Sequence, residues 1–329
     1  MNRRLTIHVL VAVLFLPLAA NADSIVLNSP VPVISTEGVT TDDLRYTSDA
    51  GGFYDGVAKL FISTTSIGFG CSAALIGMST LLTAAHCVDP MDLGVTAITG
   101  ITATFLNFST YTAASWLFNP LFNGDLYAGN DIGIIQLSTA VAGLSPYSLY
   151  LGLGFGATAD VAGYGMTATG NSGEIGGVGT FRHGENQFDA TVNSAGTFLS
   201  GTDASKIFVY DFDNGMASCN TLSLLGVSSS TGLGANEVMI TRGDSGGPSF
   251  INGQLAGIHS FNNGVLTSGC PTAATSGSFG ILGGDTRIAA GTNLSFIQQN
   301  TEVPEPASIL MVGSVLILMP ILRLYRRRR

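Results

Sequence analysis

An all-β fold of short strands and tight turns is what this sequence predicts, on three observations. Only 11% of its residues are charged, 43 of its 329 are glycine, and Thr, Ser, Val and Ile recur throughout. Low charge and frequent glycine disfavour long surface helices, and β-branched residues suit a pleated, half-buried surface. With 46% apolar content the chain has ample material for a sizeable core, as one large or two small domains.

The elements follow in order. Arg3 and Arg4 precede the apolar run from Leu5 to Leu18, and Ala20-Asn21-Ala22 supplies a small-x-small cleavage pattern. Residues 1–22 are therefore expected to be a signal peptide rather than a short membrane anchor. Residues 23–45 carry Pro30 and Pro32 without a sustained period and read as a leader or propeptide. Alternating material begins at Phe53, and strands are expected at Lys59–Ser63, Ala73–Ile76, Ile101–Phe108 and Ile132–Leu137, between Gly, Asn and Pro turns. Thr167–Thr180 and Leu222–Asn236, rich in Gly, Thr and Ser, read as mobile loops. At the far end, Val303-Pro304-Glu305-Pro306 leads into the nearly uncharged run from Ala307 to Leu322 and then into a cluster of arginines ending at Arg329. That run is expected to span a membrane with its arginines left inside, and the two prolines keep the helix from running back into the folded part.

Between Asp23 and Glu302 lie 21 acidic and 6 basic residues, a net charge of −15 against −9 for the whole chain. No basic cluster exists outside the termini, which disfavours nucleic acid as a partner. Four cysteines in an exported chain, without a Cys-x-x-Cys pair and partner histidines, point to two disulfides rather than to a metal. Sequence alone leaves three connectivities open.

Three segments carry chemistry. Gly243-Asp244-Ser245-Gly246-Gly247-Pro248 is a turn that can present a hydroxyl nucleophile beside free backbone amides. A serine hydroxyl attacks poorly unless a base takes its proton and donors are already aimed at the resulting oxyanion. Leu82-Thr83-Ala84-Ala85-His86-Cys87 ends an apolar run on a histidine, the usual base, and Gly129-Asn130-Asp131-Ile132 sets one carboxylate at the head of a strand-like stretch. With these segments the chain resembles the chymotrypsin/trypsin family of serine proteases, in the chain order His, Asp, Ser. The resemblance extends to Asn119-Pro120-Leu121-Phe122, Val161-Ala162-Gly163-Tyr164-Gly165, Ile258-His259-Ser260-Phe261 and Thr286-Arg287-Ile288, and so runs from about Tyr46 to about Asn300.

The resemblance implies two antiparallel β-barrels of the six-stranded type, at residues 46–155 and 156–300, with a short C-terminal helix and a cleft between them. It implies Ser245 as nucleophile, His86 as general base and then acid, Asp131 as the carboxylate that orients the imidazole, and an oxyanion hole from the amides of Gly243 and Ser245. It pairs Cys71 with Cys87, leaving Cys219 and Cys270 for a less certain bridge, since no cysteine stands a few residues before Ser245 as in vertebrate members. Asp131 and Ser245 are 114 residues apart, so insertions are expected in the second barrel. The tail in turn resembles the PEP-CTERM sorting signal of exopolysaccharide-producing Gram-negative bacteria, which implies an exosortase-type processing partner and a location outside the inner membrane.

Several residues keep two readings. Alignment on Ser245 puts Met239 at the pocket floor, with Ile240 beside it, which removes the aspartate of Arg/Lys-specific members and favours an apolar side chain. His259, next to a wall of Ser260, Phe261 and Asn262, resembles the histidine with which glutamate-specific relatives hold a carboxylate; the other reading is a satisfied strand histidine. Asp244 would either pair with a new α-amino group, released at Arg45-Tyr46, or bond to an internal group. Asp211-Phe212-Asp213-Asn214-Gly215 alternates carboxylates as a calcium loop does but lacks the later bidentate acid, and reads as a turn. His183 and Trp116 read as structural. The expected protein is an exported serine endopeptidase acting on polypeptides without a cofactor, its rival a non-catalytic matrix or adhesion protein on the same fold.

Overall fold

The computed structural model describes residues 35–36, 47–48, 50–192, 198–199, 205–264, 270 and 276–301. The expected signal peptide, the Arg45-Tyr46 bond and the tail lie outside the described residues, and among the described residues no helix is long and apolar enough to cross a membrane.

After a two-residue strand β1 (Ser35–Thr36), the first half of the chain forms β2 (Val57–Thr64), β3 (Gly68–Leu75), β4 (Thr80–Thr83), β5 (Ile98–Phe105), β6 (Thr110–Phe118) and β7 (Gly133–Leu137). These close into an antiparallel barrel in the order β2-β3-β4-β7-β6-β5. Period-two alternation drives the closure: Ile98, Ile101, Ala103 and Phe105 of β5 are buried while the residues between them are more open. β6, a nine-residue strand with no fully buried residue, escaped the sequence reading because its Thr, Ala and Ser carry little apolar contrast.

The second half forms β8 (Thr158–Gly163), β9 (Met166–Thr169), β10 (Gly173–Val178), β11 (Arg182–Gln187), β12 (Thr191–Val192), β13 (Phe198–Leu199), β14 (Ile207–Asp211), helix α1 (Thr221–Leu224), β15 (Val238–Met239), β16 (Pro248–Ile251), β17 (Gln254–Gly264), β18 (Ile281–Arg287) and helix α2 (Gly291–Asn300). Six of these strands build a barrel-like sheet in the order β11-β8-β16-β17-β18-β14. Asn186 of edge strand β11 donates to the carbonyls of Asp211, on edge strand β14, at 3.0 Å and of Val238 at 2.8 Å, so one side chain spans the gap between the sheet's edges. A second, four-stranded sheet has the order β10-β9-β1-β15.

Thr167–Thr180, expected as a mobile loop, contains most of the β9–β10 hairpin, and Leu222–Asn236 begins inside α1, where Asn220 accepts the Ser223 amide at 2.8 Å as an N-cap. The halves meet over aromatic rings: Phe250 of β16 lies 4.8 Å from Phe53 and 4.6 Å from Tyr147 between centroids, and the Tyr147 hydroxyl donates to the Phe53 carbonyl at 2.8 Å. Helix α2 returns to the first barrel, where Gln136 donates to the Asn300 carbonyl at 2.8 Å and Asn293 to the Gly129 carbonyl at 2.8 Å.

Candidate active site

His86 sits in a single 3-10 turn, Ala85–Cys87, that leaves the end of β4. Its neighbour Cys87 is bonded to Cys71 of β3, so the turn is fastened to the barrel wall; the second bridge joins Cys219 to Cys270. Asp131 precedes β7, which pairs with β4, and this register brings the carboxylate under the histidine. Asp131 is fully buried and receives three donors: the His86 amide at 2.9 Å on one oxygen, and His86 Nδ1 at 2.8 Å and the Ser260 hydroxyl at 2.6 Å on the other. With Nδ1–H given to Asp131, the lone pair of a neutral ring is on Nε2, as a general base requires. Burial alone would lower the His86 pKa, but the charge and hydrogen bond of Asp131, with a smaller contribution from Asp92, outweigh it and leave it above the ordinary 6.5.

Ser245 comes from the other half of the molecule, on a turn clamped from several sides. The Ser72 amide of β3 donates to the Ser245 carbonyl at 2.8 Å, the Gly246 amide to the His259 carbonyl at 2.9 Å, and the Gly247 amide to the Asp244 carbonyl at 2.7 Å. The Ser72 hydroxyl bonds the Gly243 carbonyl at 3.1 Å and accepts the Tyr164 amide at 3.0 Å. Among the described residues, the amides of Asp244, Gly246 and Gly247 are all taken, whereas those of Gly243 and Ser245 meet no protein acceptor. Two free donors then flank the half-buried Ser245. Gly243 has φ +95°, and a Cβ there would stand 3.0 Å from Val178 and 3.1 Å from Gly165, so only glycine fits.

Asp244 is buried and bonded internally, accepting the Gly165 amide at 2.7 Å, the Thr241 amide at 2.8 Å and the Thr241 hydroxyl at 3.0 Å. Burial pushes its carboxyl up to about 6. Of the two readings of Asp244, the described residues display the internal one. Thr47, the first described residue after Arg45-Tyr46, has its backbone against His183, whose ring stacks on Tyr54 at 4.3 Å.

The residues expected to hold substrate fall in two groups. Met239, Ile240 and Phe261 are buried, and Asn262 donates to the Ile240 carbonyl at 2.7 Å and to the Ser276 hydroxyl at 3.0 Å, tying β17 to the chain after β15. Ser260 and His259 point elsewhere: Ser260 to Asp131, and His259 with Nδ1 3.0 Å from Asp285 and Nε2 3.2 Å from the Ala162 carbonyl. Ser72, Thr241, Asp285 and Asp92 were missed, since isolated Ser, Thr and Asp residues carry no motif; only Thr241, four residues before Ser245, is adjacent to one. Arg242 is linked to Glu174 of β10 by an ion pair at 2.6 Å and by its amide at 3.0 Å.

No group of three His, Cys, Asp or Glu residues among the described residues is arranged to hold a metal ion. Asp211 and Asp213 are raised to about 7 and about 9, by burial first and then by neighbouring carboxylates.

Residues 50–197 match the family model described as Trypsin. A solved structure named HL collagenase is similar at 20% identity and a TM-score of 0.48, over 76% of this chain and 94% of that one. No curated protein matches the chain. The matched span takes in His86 and Asp131, and a second barrel-like sheet and a C-terminal helix follow it: the fold is chymotrypsin-like, its first part is similar to the Trypsin model, and the protein is a serine endopeptidase.

Proposed function

We propose that this endopeptidase works through an acyl-enzyme at Ser245. Ser245 Oγ bonds to the scissile carbonyl carbon while its proton passes to His86 Nε2, and the carbonyl oxygen, now negative, is received by the amides of Gly243 and Ser245. Collapse breaks the C–N bond as His86 returns the proton to the leaving amine. Water, deprotonated by His86, then releases the acyl group and restores Ser245. The observation that carries this reading is the double grip of Asp131 on His86, through the amide and Nδ1 together, which fixes both the position and the tautomer of the base. Ser245→Ala is expected to abolish peptide hydrolysis and labelling by a serine-directed phosphonate. Wild-type protein that labels with neither phosphonate nor substrate would instead favour the binding-protein reading.

The substrate class we propose is polypeptide with an apolar residue before the cut. Buried Met239 and Ile240 support it, with Asn262 bonded across to the Ile240 carbonyl. A peptide library cut after Glu, Arg or Lys in preference to apolar residues would overturn this. Two disulfides fit an oxidising, exported setting. We propose that export begins with residues 1–22 and that the Pro304-Glu305-Pro306 tail is sorted by an exosortase-type enzyme; intact-mass analysis of the protein from its native surface tests both ends.

A further inference from the structure

His259 is fully buried, and each of its ring nitrogens faces an acceptor. Nε2 lies 3.2 Å from the Ala162 carbonyl, and a carbonyl can only accept, so Nε2 carries a hydrogen. Nδ1 lies 3.0 Å from Asp285 Oδ1. Asp285 also receives the Tyr210 hydroxyl at 2.9 Å on that oxygen and the Ser249 hydroxyl at 2.5 Å on the other, the surroundings of an ionised carboxylate that accepts throughout. Nδ1 is then a donor as well, and a ring with two N–H groups is an imidazolium.

The charge has a second use. The three hydrogen bonds to Asp244 come from neutral groups, and among the described residues no lysine or arginine is within ion-pair distance of it. The ring of His259 packs beneath the same turn: a Cβ on Gly247 would stand 2.8 Å from its Cδ2. Its backbone holds the turn too, the His259 amide donating to the Gly247 carbonyl and the Gly246 amide to the His259 carbonyl, each at 2.9 Å. Among the described residues, the titratable groups that face the ring are Asp285 on β18, Tyr210 behind it on β14, and Asp244 on the turn, and β8 contributes the Ala162 carbonyl.

We propose that His259 is a charged positioning residue, a buried imidazolium that serves as internal counter-charge to Asp244 and so holds the turn that presents Ser245 and the two free amides. The turn is thereby set from within the folded domain. Burial taken alone would discharge His259, but the charge and hydrogen bond of Asp285, then Asp244 and the Ala162 carbonyl, raise its pKa above 6.5. Stability from this group is fully present below the ordinary imidazole value and is lost as pH rises through the raised one. A charged ring with both N–H groups engaged also has no nitrogen to offer a substrate carboxylate.

The test has one arm that needs no activity. In histidine-labelled full-length protein, nitrogen NMR at pH 8 should show both His259 ring nitrogens at the shifts of the charged form, with two slowly exchanging N–H signals that vanish in His259→Gln. A neutral-tautomer pattern for His259 at that pH overturns the proposal. The second arm rests on the reading of Ser245 as nucleophile. His259→Gln, folded by circular dichroism, should lower kcat about tenfold with little change in KM. An unchanged kcat overturns the positioning role. Should that variant not fold, His259→Asn takes its place in the kinetic arm, and the wild-type spectrum decides the charge.

Discussion

At the scale of the residue, the site is a pair of buried histidines each governed by one carboxylate, and their difference lies in what faces the second nitrogen. His86 has Nε2 left for chemistry, whereas His259 has Nε2 on a carbonyl. Because Asp131 outweighs burial at His86, catalysis that needs the neutral ring should show an acid limb above pH 6.5, measured as kcat/KM against pH. Asp131→Asn should bring that limb down and cut kcat by about four orders of magnitude; a limb that stays in place would remove Asp131 from the base. The stabilising effect of the His86–Asp131 pair has the opposite dependence, present below the ordinary value and lost as pH rises through the raised one. The three candidate residues, His86, Asp131 and Ser245, could be picked out in the sequence because each stands in a local pattern. The side chains that hold them could not: Ser72 reaches Gly243 from 171 positions away, and Asp285 reaches His259 across two strands, so neither leaves a local trace.

At the scale of the element, the hairpin and the turn act together. Glu174 on β10 grips Arg242 next to Gly243, and the Thr241 hydroxyl, sharing its one hydrogen between Asp244 and the Met166 carbonyl, lies 2.8 Å from that carbonyl at the start of β9. The Arg242–Glu174 pair is half exposed on the arginine side, so its contribution to stability should be small, under about 1 kcal/mol. Its contribution to the alignment of the turn should be larger. Glu174→Ala is expected to lower kcat severalfold while the thermal midpoint barely moves, a split that steady-state kinetics and calorimetry read directly. Gly243→Val should cost about 3 kcal/mol of transition-state stabilisation, roughly a hundredfold or more in kcat, since the new side chain meets Val178 and Gly165 at a positive φ. Glycine content made this hairpin look like a loop in the sequence. A strand of glycines shows no apolar alternation, and the pairing is enforced by backbone bonds and by the reach of Glu174 instead.

At the scale of the molecule, two sheets that share no strand are joined by aromatic packing, by the clamp of Ser72 on the turn and by the return of α2. Phe250→Ala should cost about 3–5 kcal/mol by opening a cavity where four aromatic rings converge, and a loss of cooperativity in thermal unfolding would show the halves parting. The Cys71–Cys87 bridge, closing a separation of 16 residues, should contribute about 3 kcal/mol, and Cys219–Cys270, over 51, about 4 kcal/mol. Double Cys→Ser variants compared in urea test both values. The first barrel was largely visible in the sequence, since Ile-, Leu- and Phe-bearing strands alternate there. The six-stranded order of the second half was less so, because its pairings link residues as far apart as Asp160 and Phe250.

The short strand β1 carries a consequence of another kind. Ser35 and Thr36 pair with Met239 and Val238 on one side and with Ala168 and Thr169 on the other, so a segment ahead of the first barrel is a stave of the four-stranded sheet that carries Met239. Cutting the chain between residue 36 and residue 50 would therefore not by itself discard the leader. The working enzyme would be a two-piece assembly whose smaller piece travels with the larger until denatured, one band on a native gel and two masses in the spectrometer.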